Sequence, residues 1–142
     1  MKLKDIMSRS VIAVHPRESV AVAARLFSNH NIGILPVCDD DGKLCGVVTD
    51  RDVVTRCVAS NRSAEQTRVG DIMTSRIVSA SPSMEISAVA HLMSREQVRR
   101  LPVVEGECLC GMVSVGDLAC REDSSYEAAE ALEGICSNLN PK

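Results

Sequence analysis

Two short motifs carry the residue types with which this chain could do chemistry. Thr49-x-x-Asp52 and Ser114-x-x-Asp117 each set a hydroxyl three positions before a carboxylate, directly after an apolar run opened by Gly46 or Gly111. One reading is structural: Ser/Thr-x-x-Asp is close to a capping box, in which the hydroxyl accepts from an amide of the first helical turn and the acid reaches back to the cap. The other is chemical. A carboxylate can accept from two vicinal ribose hydroxyls, while a Thr or Ser hydroxyl and the amides of a helix start can meet phosphate. An Asp does nothing useful at a phosphate, so the sugar is its natural partner. Taken singly, each motif is more often a cap, and position tilts the balance: both close a buried strand and open a helix, beside a second apolar strand that bears a proline.

The motifs are the ends of a repeat. Asp5-Ile6-Met7 recurs as Asp71-Ile72-Met73, and Ile34-Leu35-Pro36-Val37 as Arg100-Leu101-Pro102-Val103, both 66 residues on. Gly46-Val47-Val48-Thr49 recurs as Gly111-Met112-Val113-Ser114 after 65, so one residue is lost in the turn where Asp39-Asp40-Asp41-Gly42 faces Glu105-Gly106-Glu107. Loops tolerate such changes of length. Within each repeat, apolar residues at i, i+3, i+4 and i+7 predict a helix, on Val20, Ala23, Ala24 and Phe27 and on Ile86, Val89, Ala90 and Met93. Glu18-Ser19 and Ser83 supply start signals. Short strands are expected at Val11-Ile12-Ala13-Val14 and Ile77-Val78-Ser79-Ala80, and hairpins over 34–48 and 101–113. A last helix follows each hairpin, over 50–60 and 115–121. The fold class is therefore α+β, two pseudo-symmetric β-α-β-β-α motifs over residues 2–60 and 68–121, and a tail over 122–142. About 60 residues bury little surface alone, so the motifs are expected to pack face to face. The tail predicts one more helix, capped from Glu122-Asp123-Ser124-Ser125, with a stripe of Ala128, Leu132, Ile135 and Leu139 that serves either the body of the protein or a partner.

Composition excludes several functions. The net charge is -3 with acids and bases interspersed, and Phe27 and Tyr126 are the two aromatics, so nucleic acid is a poor partner. No apolar stretch reaches the ~18 residues of a membrane span, and the charged N-terminus lacks a signal sequence, which points to the cytosol. Seven cysteines at uneven spacings make no disulfide framework; Cys45 and Cys110 are repeat-equivalent and read as small apolar residues. Cys108-x-Cys110 points two sulfurs to one strand face, yet has no second close Cys/His pair, so no metal is expected. His15, His30 and His91 occupy unrelated positions and adjoin no nucleophile, and no Gly-rich phosphate loop with a Lys is present, so the chain is not expected to be an enzyme.

The ordered duplicate of Asp-Ile-Met, apolar-x-Pro-Val and Gly-apolar-apolar-Thr/Ser-x-x-Asp, over about residues 2–121, resembles the paired cystathionine β-synthase (CBS) domains that form a Bateman module. The resemblance implies a pseudo-twofold disc whose two clefts bind adenosine-containing ligands, commonly dimerising with a second module. It implies that Asp52 and Asp117 hold ribose and that Thr49 and Ser114 contact phosphate. Ile34 with Pro36, and Leu101 with Pro102, would wall the base, joined by Val11, Ile12, Ile77 and Val78. Arg51 in the first motif faces Gly116 in the second, and Arg99 with Arg100 faces Gly33 with Ile34, so Arg51, Arg99 and Arg100 are candidate phosphate contacts and the two sites are unequal. No cofactor is required. The expected ligand is an adenine nucleotide, AMP ahead of ADP, ATP or S-adenosylmethionine. The expected partners are that adenosyl ligand, a second copy in a homodimer, and an unidentified protein regulated in trans. The alternative is a ligand-free structural, dimerisation or protein-interaction module that keeps the fold and its caps.

Overall fold

The computed structural model describes residues 1–137, and these fall into two compact units. Unit 1 consists of Met1–Val11, Val78–Gly106 and the chain from Cys110 onward; unit 2 consists of Ile12–Ile77 with Glu107–Leu109. Each therefore takes the Asp-Ile-Met segment of the other repeat: Asp5-Ile6-Met7 lies in unit 1 and Asp71-Ile72-Met73 in unit 2.

In unit 2, helix α1 (Val20–His30) starts at Ser19, whose Oγ accepts from the Val22 amide at 3.3 Å. Of the stripe predicted from spacing it buries Val20, Ala23 and Phe27 and leaves Ala24 half-buried, and it ends on Asn31 in the left-handed region at φ 52°, a conformation Asn tolerates well. Strands β1 (Ile34–Cys38) and β2 (Leu44–Thr49) form an antiparallel hairpin with Ile34 opposite Thr49, Pro36 opposite Val47, and a bulge beyond Val37. The chain then turns into α2 (Asp50–Asp52), which continues as a wider π-helical turn over Val53–Val58, short of the 60 expected. Helix α3 (Val69–Ile72) carries Asp71 and Ile72 of the transferred segment, with Met73 at its C-cap. Val14, Val20, Leu35, Val37, Val48, Cys57, Val69 and Ile72 make the core.

Unit 1 repeats the plan. Helix α4 (Ile86–Glu96) buries Ile86, Val89, Ala90 and Met93. Its N-cap position is Glu85, whose side chain makes no capping bond, while Ser83 pairs its hydroxyl with that of Ser81 at 3.1 Å. Strands β3 (Arg100–Glu105) and β4 (Cys108–Ser114) pair, and α5 (Val115–Ala119) follows, ending two residues before the expected 121.

The strands expected at 11–14 and 77–80 are reduced to single parallel bridges, Val14 to Val37 and Ala80 to Val103. Val14 and Ala80 donate to the carbonyls of Pro36 and Pro102, both at 3.0 Å. A proline has no amide to return, so the ladder does not extend there. The other edge of each hairpin is met by the transferred segment: Thr74 bridges Val47, and Ser8 bridges Met112. The approach is close. A Cβ on Gly46 would lie 2.6 Å from the Thr74 carbonyl oxygen, and one on Gly111 would lie 2.8 Å from that of Ser8, which is why both repeats keep glycine here.

The tail helix, α6 (Ser125–Cys136), packs on α4 and α5. It buries Ala128, Ala131 and Ile135, while Leu132 of the predicted stripe is 45% exposed and Leu139 lies outside the described residues. Ser124 is fully buried and does not cap: its hydroxyl donates to the Leu118 carbonyl at 2.6 Å.

Candidate functional site

Both Ser/Thr-x-x-Asp motifs close as complete capping boxes. In unit 2 the Asp52 amide donates to Thr49 Oγ1 and the Thr49 amide to Asp52 Oδ2, both at 3.0 Å. In unit 1 the Asp117 amide donates to Ser114 Oγ at 3.1 Å and the Ser114 amide to Asp117 Oδ2 at 2.8 Å. Two backbone amides that a strand-to-helix turn leaves without a ladder partner are thus satisfied locally. Each box spends one carboxylate oxygen and the acceptor face of one hydroxyl; the hydroxyl proton and the second carboxylate oxygen are left for other partners.

The units differ in that second oxygen. Asp52 is 8% exposed, and its Oδ1 lies 3.7 Å from Arg56 Nε, one helical turn on. Arg56 is itself held by the carbonyls of Ile72 and Met73 at 3.0 and 3.2 Å. The counterpart in unit 1 is Arg121, four residues after Asp117. It turns instead to the Asp5 carbonyl at 3.1 Å and to Asp123 at 3.9 Å, so Asp117 Oδ1 has no partner among the described residues. Sequence reasoning passed over Arg56 and Arg121, although the i,i+4 spacing from each acid was a readable signal.

A second pair of equivalent bonds fixes how each strand start meets its turn. The Asp50 amide donates to the Gly33 carbonyl at 3.1 Å, and the Val115 amide to that of Arg99 at 2.9 Å. Asp50 Oδ2 then lies over Gly33, 3.3 Å from where a Cβ would stand, and its Oδ1 accepts from the Arg51 amide at 2.8 Å. In unit 1 the same place holds the aliphatic Val115, packed on the core, and strand-start residues that carry side chains, Arg99 and Arg100. Both arginines are exposed and without an ion pair among the described residues. Arg51 is exposed too, lining an open depression of about 490 Å³ with Asp50, Val54 and Thr55.

The candidate base-wall residues divide by exposure. Pro36, Leu101 and Pro102 are buried in the protein, whereas Val11, Ile12, Ile34, Ile77 and Val78 are half-buried and offer surface. Unit 2 brings Ile12, Ile34, Pro36, Thr49, Arg51, Asp52 and Ile77 into one body; unit 1 does so for Val11, Val78, Arg99, Arg100, Leu101, Pro102, Ser114 and Asp117.

The cysteines stand apart from both motifs. Burial pushes the thiols of Cys38 and Cys110 above the usual range, the neighbouring charge of Cys45 adding at Cys38 and that of Glu105 at Cys110. Cys110 Sγ, at 3.4 Å from the Val103 carbonyl, behaves as a packed apolar residue with a weak donor. Among the described residues no group of three or more His, Cys, Asp or Glu is placed to hold a metal, and no helix is long and apolar enough to cross a membrane.

Known proteins share this fold. The chain is 39% identical over 133 residues to the CBS domain-containing protein YhcV of Bacillus subtilis, covering 94% of each. A solved CBS domain pair, of protein MJ0100 in complex with 5′-methylthioadenosine and S-adenosyl-L-methionine, superposes with a TM-score of 0.74 at 30% identity, covering 84% of this chain and 94% of that one. CBSX2 in complex with AMP superposes with a TM-score of 0.72 at 30% identity, covering 82% and 91%. The CBS domain profile itself matches twice, over residues 3–59 and 69–123, each match containing one hydroxyl-carboxylate box, and by that doubled match the chain belongs to the CBS domain family, as a tandem pair.

Proposed function

We propose that this chain is a non-catalytic regulatory module of the cytosol that binds an adenosine-containing ligand at its two Ser/Thr-x-x-Asp half-sites, works as a homodimer and controls a partner protein in trans. The observation that carries the reading is the open Oδ1 of Asp117 beside a hydroxyl whose proton is unspent. A capping box needs one oxygen of the acid; the other is an unmet charged acceptor suited to a ribose hydroxyl. The solved complexes of MJ0100 and CBSX2 support an adenosyl ligand, and AMP heads the expected series. Half-buried Val11 and Val78 in unit 1, and Ile12, Ile34 and Ile77 in unit 2, supply the apolar surface for a base.

The test is calorimetric titration with AMP of the unaltered protein and of Asp117→Ala and Asp117→Asn. Loss of a charged acceptor worth about 1.5 to 3 kcal/mol weakens binding roughly ten- to a hundredfold. The Asn variant keeps an oxygen for the Ser114 amide, so weak binding in both variants separates ligand contact from loss of the cap. Unchanged affinity in both would remove Asp117 from the site.

The completeness of the two boxes favours a second reading, an interaction module that keeps them for the fold alone. Thermal denaturation decides between the two, since a ligand at 100 times its dissociation constant stabilises by about 2.7 kcal/mol. Constant midpoints with millimolar AMP, ADP, ATP and S-adenosylmethionine would establish the interaction module.

A further inference from the structure

The hairpin of unit 2 gathers three thiols at one end. Pro36 pairs with Val47, and the alternation of side chains along β1 and β2 carries that face on to Cys38 and Cys45. The bulge beyond Val37 gives Cys38 the partner Leu44 and leaves Cys45 as the extra residue of β2, so Cys38 faces both. On the other edge of β2, Lys43 pairs with Cys108, framed by the Leu44 amide on the Glu107 carbonyl at 3.0 Å and the Leu109 amide on that of Gly42 at 3.1 Å. Cys45 lies two residues on from Lys43, which makes Cys108 its diagonal neighbour. Burial first, then the charge of Cys45, that of Asp39 and last that of Cys108 push the Cys38 thiol up, the order of nearness that the register sets for the sulfurs. Cys45 Sγ donates weakly to the Lys43 carbonyl at 3.5 Å and Cys108 Sγ to that of Asp41 at 3.7 Å. Cys38 and Cys45 are free thiols and half-buried, within reach of a small solute. In unit 1 the equivalent positions hold Val104 and Cys110, so one repeat has the pair and the other does not.

We propose that Cys38 and Cys45 form a reversible dithiol-disulfide site, oxidised by small hydroperoxides and reduced again by dithiols. Opposite Cβ atoms of an antiparallel pair stand about 4.5 to 5.5 Å apart and diagonal ones further, whereas a disulfide spans up to about 4.5 Å. The pair across the bulge therefore closes with a small shift, and the diagonal pair with Cys108 does not. Cys38, its thiol pushed up, keeps its proton and is the resolving partner; Cys45 is the attacking sulfur. The Cys45 thiolate attacks the terminal peroxide oxygen, the O–O bond breaks, and the leaving hydroxide or alkoxide takes up a proton as water or alcohol. The Cys38 sulfur then attacks the sulfenic sulfur of Cys45, the S–O bond breaks, and water leaves with the Cys38 proton. Two electrons pass from the thiol pair to the peroxide. A dithiol reverses the bond by exchange and is itself oxidised to a disulfide. The site is independent of the ribose reading of Asp52 and Asp117.

In the test, the full chain is reduced, freed of reductant, treated with hydrogen peroxide, alkylated, cut with trypsin and read by mass spectrometry without reduction. Cleavage after Arg25, Lys43 and Arg51 puts Cys38 and Cys45 on separate peptides, 26–43 and 44–51, and cleavage after Arg100 and Arg121 puts Cys108 on a third, 101–121. The expected result is loss of free 26–43 and 44–51 in favour of their linked pair, with both restored by dithiothreitol. Cys38→Val installs the residue of unit 1; there the link should be lost and Cys45 trapped by dimedone as its sulfenic acid. Cys108→Ser should link as the unaltered protein does, and thermal midpoints check that both variants fold. A link from 44–51 to 101–121 in place of 26–43, or a link between copies on a non-reducing gel, would overturn the proposal. So would oxidation of both cysteines beyond sulfenic acid with no link, or two free thiols at a peroxide dose that oxidises the exposed Cys120.

Discussion

Ser114 and Asp117 hold each other through both backbone amides, at 2.8 and 3.1 Å, and leave one oxygen of Asp117 unused. Thr49 and Asp52 make the same reciprocal pair, but there Arg56 stands beside the second oxygen. A motif that serves as a helix start in both units is thus open to a further partner in one and guarded in the other.

Removing Arg56 should make the units alike at this point. Arg56→Ala frees Asp52 Oδ1 and also strips the Ile72 and Met73 carbonyls of a donor. The ion pair is half-exposed and worth at most about 1 kcal/mol, so a small fall in stability is expected together with tighter ligand binding in unit 2. Chemical denaturation and calorimetry on the same preparation read both; weaker binding would show that Arg56 itself contacts the ligand.

The glycines should separate by what surrounds them. Gly46→Ala and Gly111→Ala drive a methyl into the backbone oxygens of Thr74 and Ser8, and each should cost about 1 to 3 kcal/mol in urea denaturation. Gly116→Ala meets only Ser114 Oγ at 3.4 Å, ordinary contact, and should stabilise α5 by up to about 1 kcal/mol. A neutral result at 46 and 111 would mean that the transferred segments are not seated as described.

Gly134 is where α6 lies against α4. A Cβ there collides with Ser94, its backbone included, so Gly134→Ala should loosen the helix whereas Ser94→Ala should not. Proteolysis near residues 125–136 is expected to quicken in the glycine variant only. Equal protection in both would place the contact elsewhere.

Acid should release the N-terminus of unit 1. The Lys2 ammonium at 2.7 Å, with the terminal amine at 3.5 Å, holds the Glu85 carboxyl below its ordinary range. A depressed carboxylate contributes stability above its unfolded pKa, and the contribution is lost as pH falls through the folded value. Exchange protection of the Leu3 amide, bonded to the Met84 carbonyl at 2.9 Å, should therefore drop on acidification below the usual carboxylate range, and Glu85→Gln should flatten that dependence. A dependence that survives the substitution would assign it to another group.

Much of this was legible in the chain. The stripes that became α1 and α4 follow from a 3.6-residue period, and the hairpins from apolar runs around acidic turns, because both depend on neighbours in sequence. The boxes were readable for the same reason: donor and acceptor are three residues apart. The strands expected at 11–14 and 77–80 were over-read, since an apolar run does not reveal that its partner strand carries a proline where the ladder would grow. Ser124 likewise has the composition of a cap and the surroundings of a buried donor, and only the position of the Leu118 carbonyl distinguishes the two.

The sequence by itself determined that there are two repeats, where α1, α4 and both hairpins lie, and that the residues around their hydroxyl-carboxylate motifs are unequal, since these are matters of local period and of residue identity. Only the tertiary structure decided that each Asp-Ile-Met segment packs in the unit of the other repeat's hairpin, that Asp50 folds over Gly33, and that Arg56 turns to its acid while Arg121 turns away. Those outcomes rest on contacts between residues far apart in the chain, where close packing and the need to satisfy buried polar groups choose among partners that the local sequence leaves equivalent.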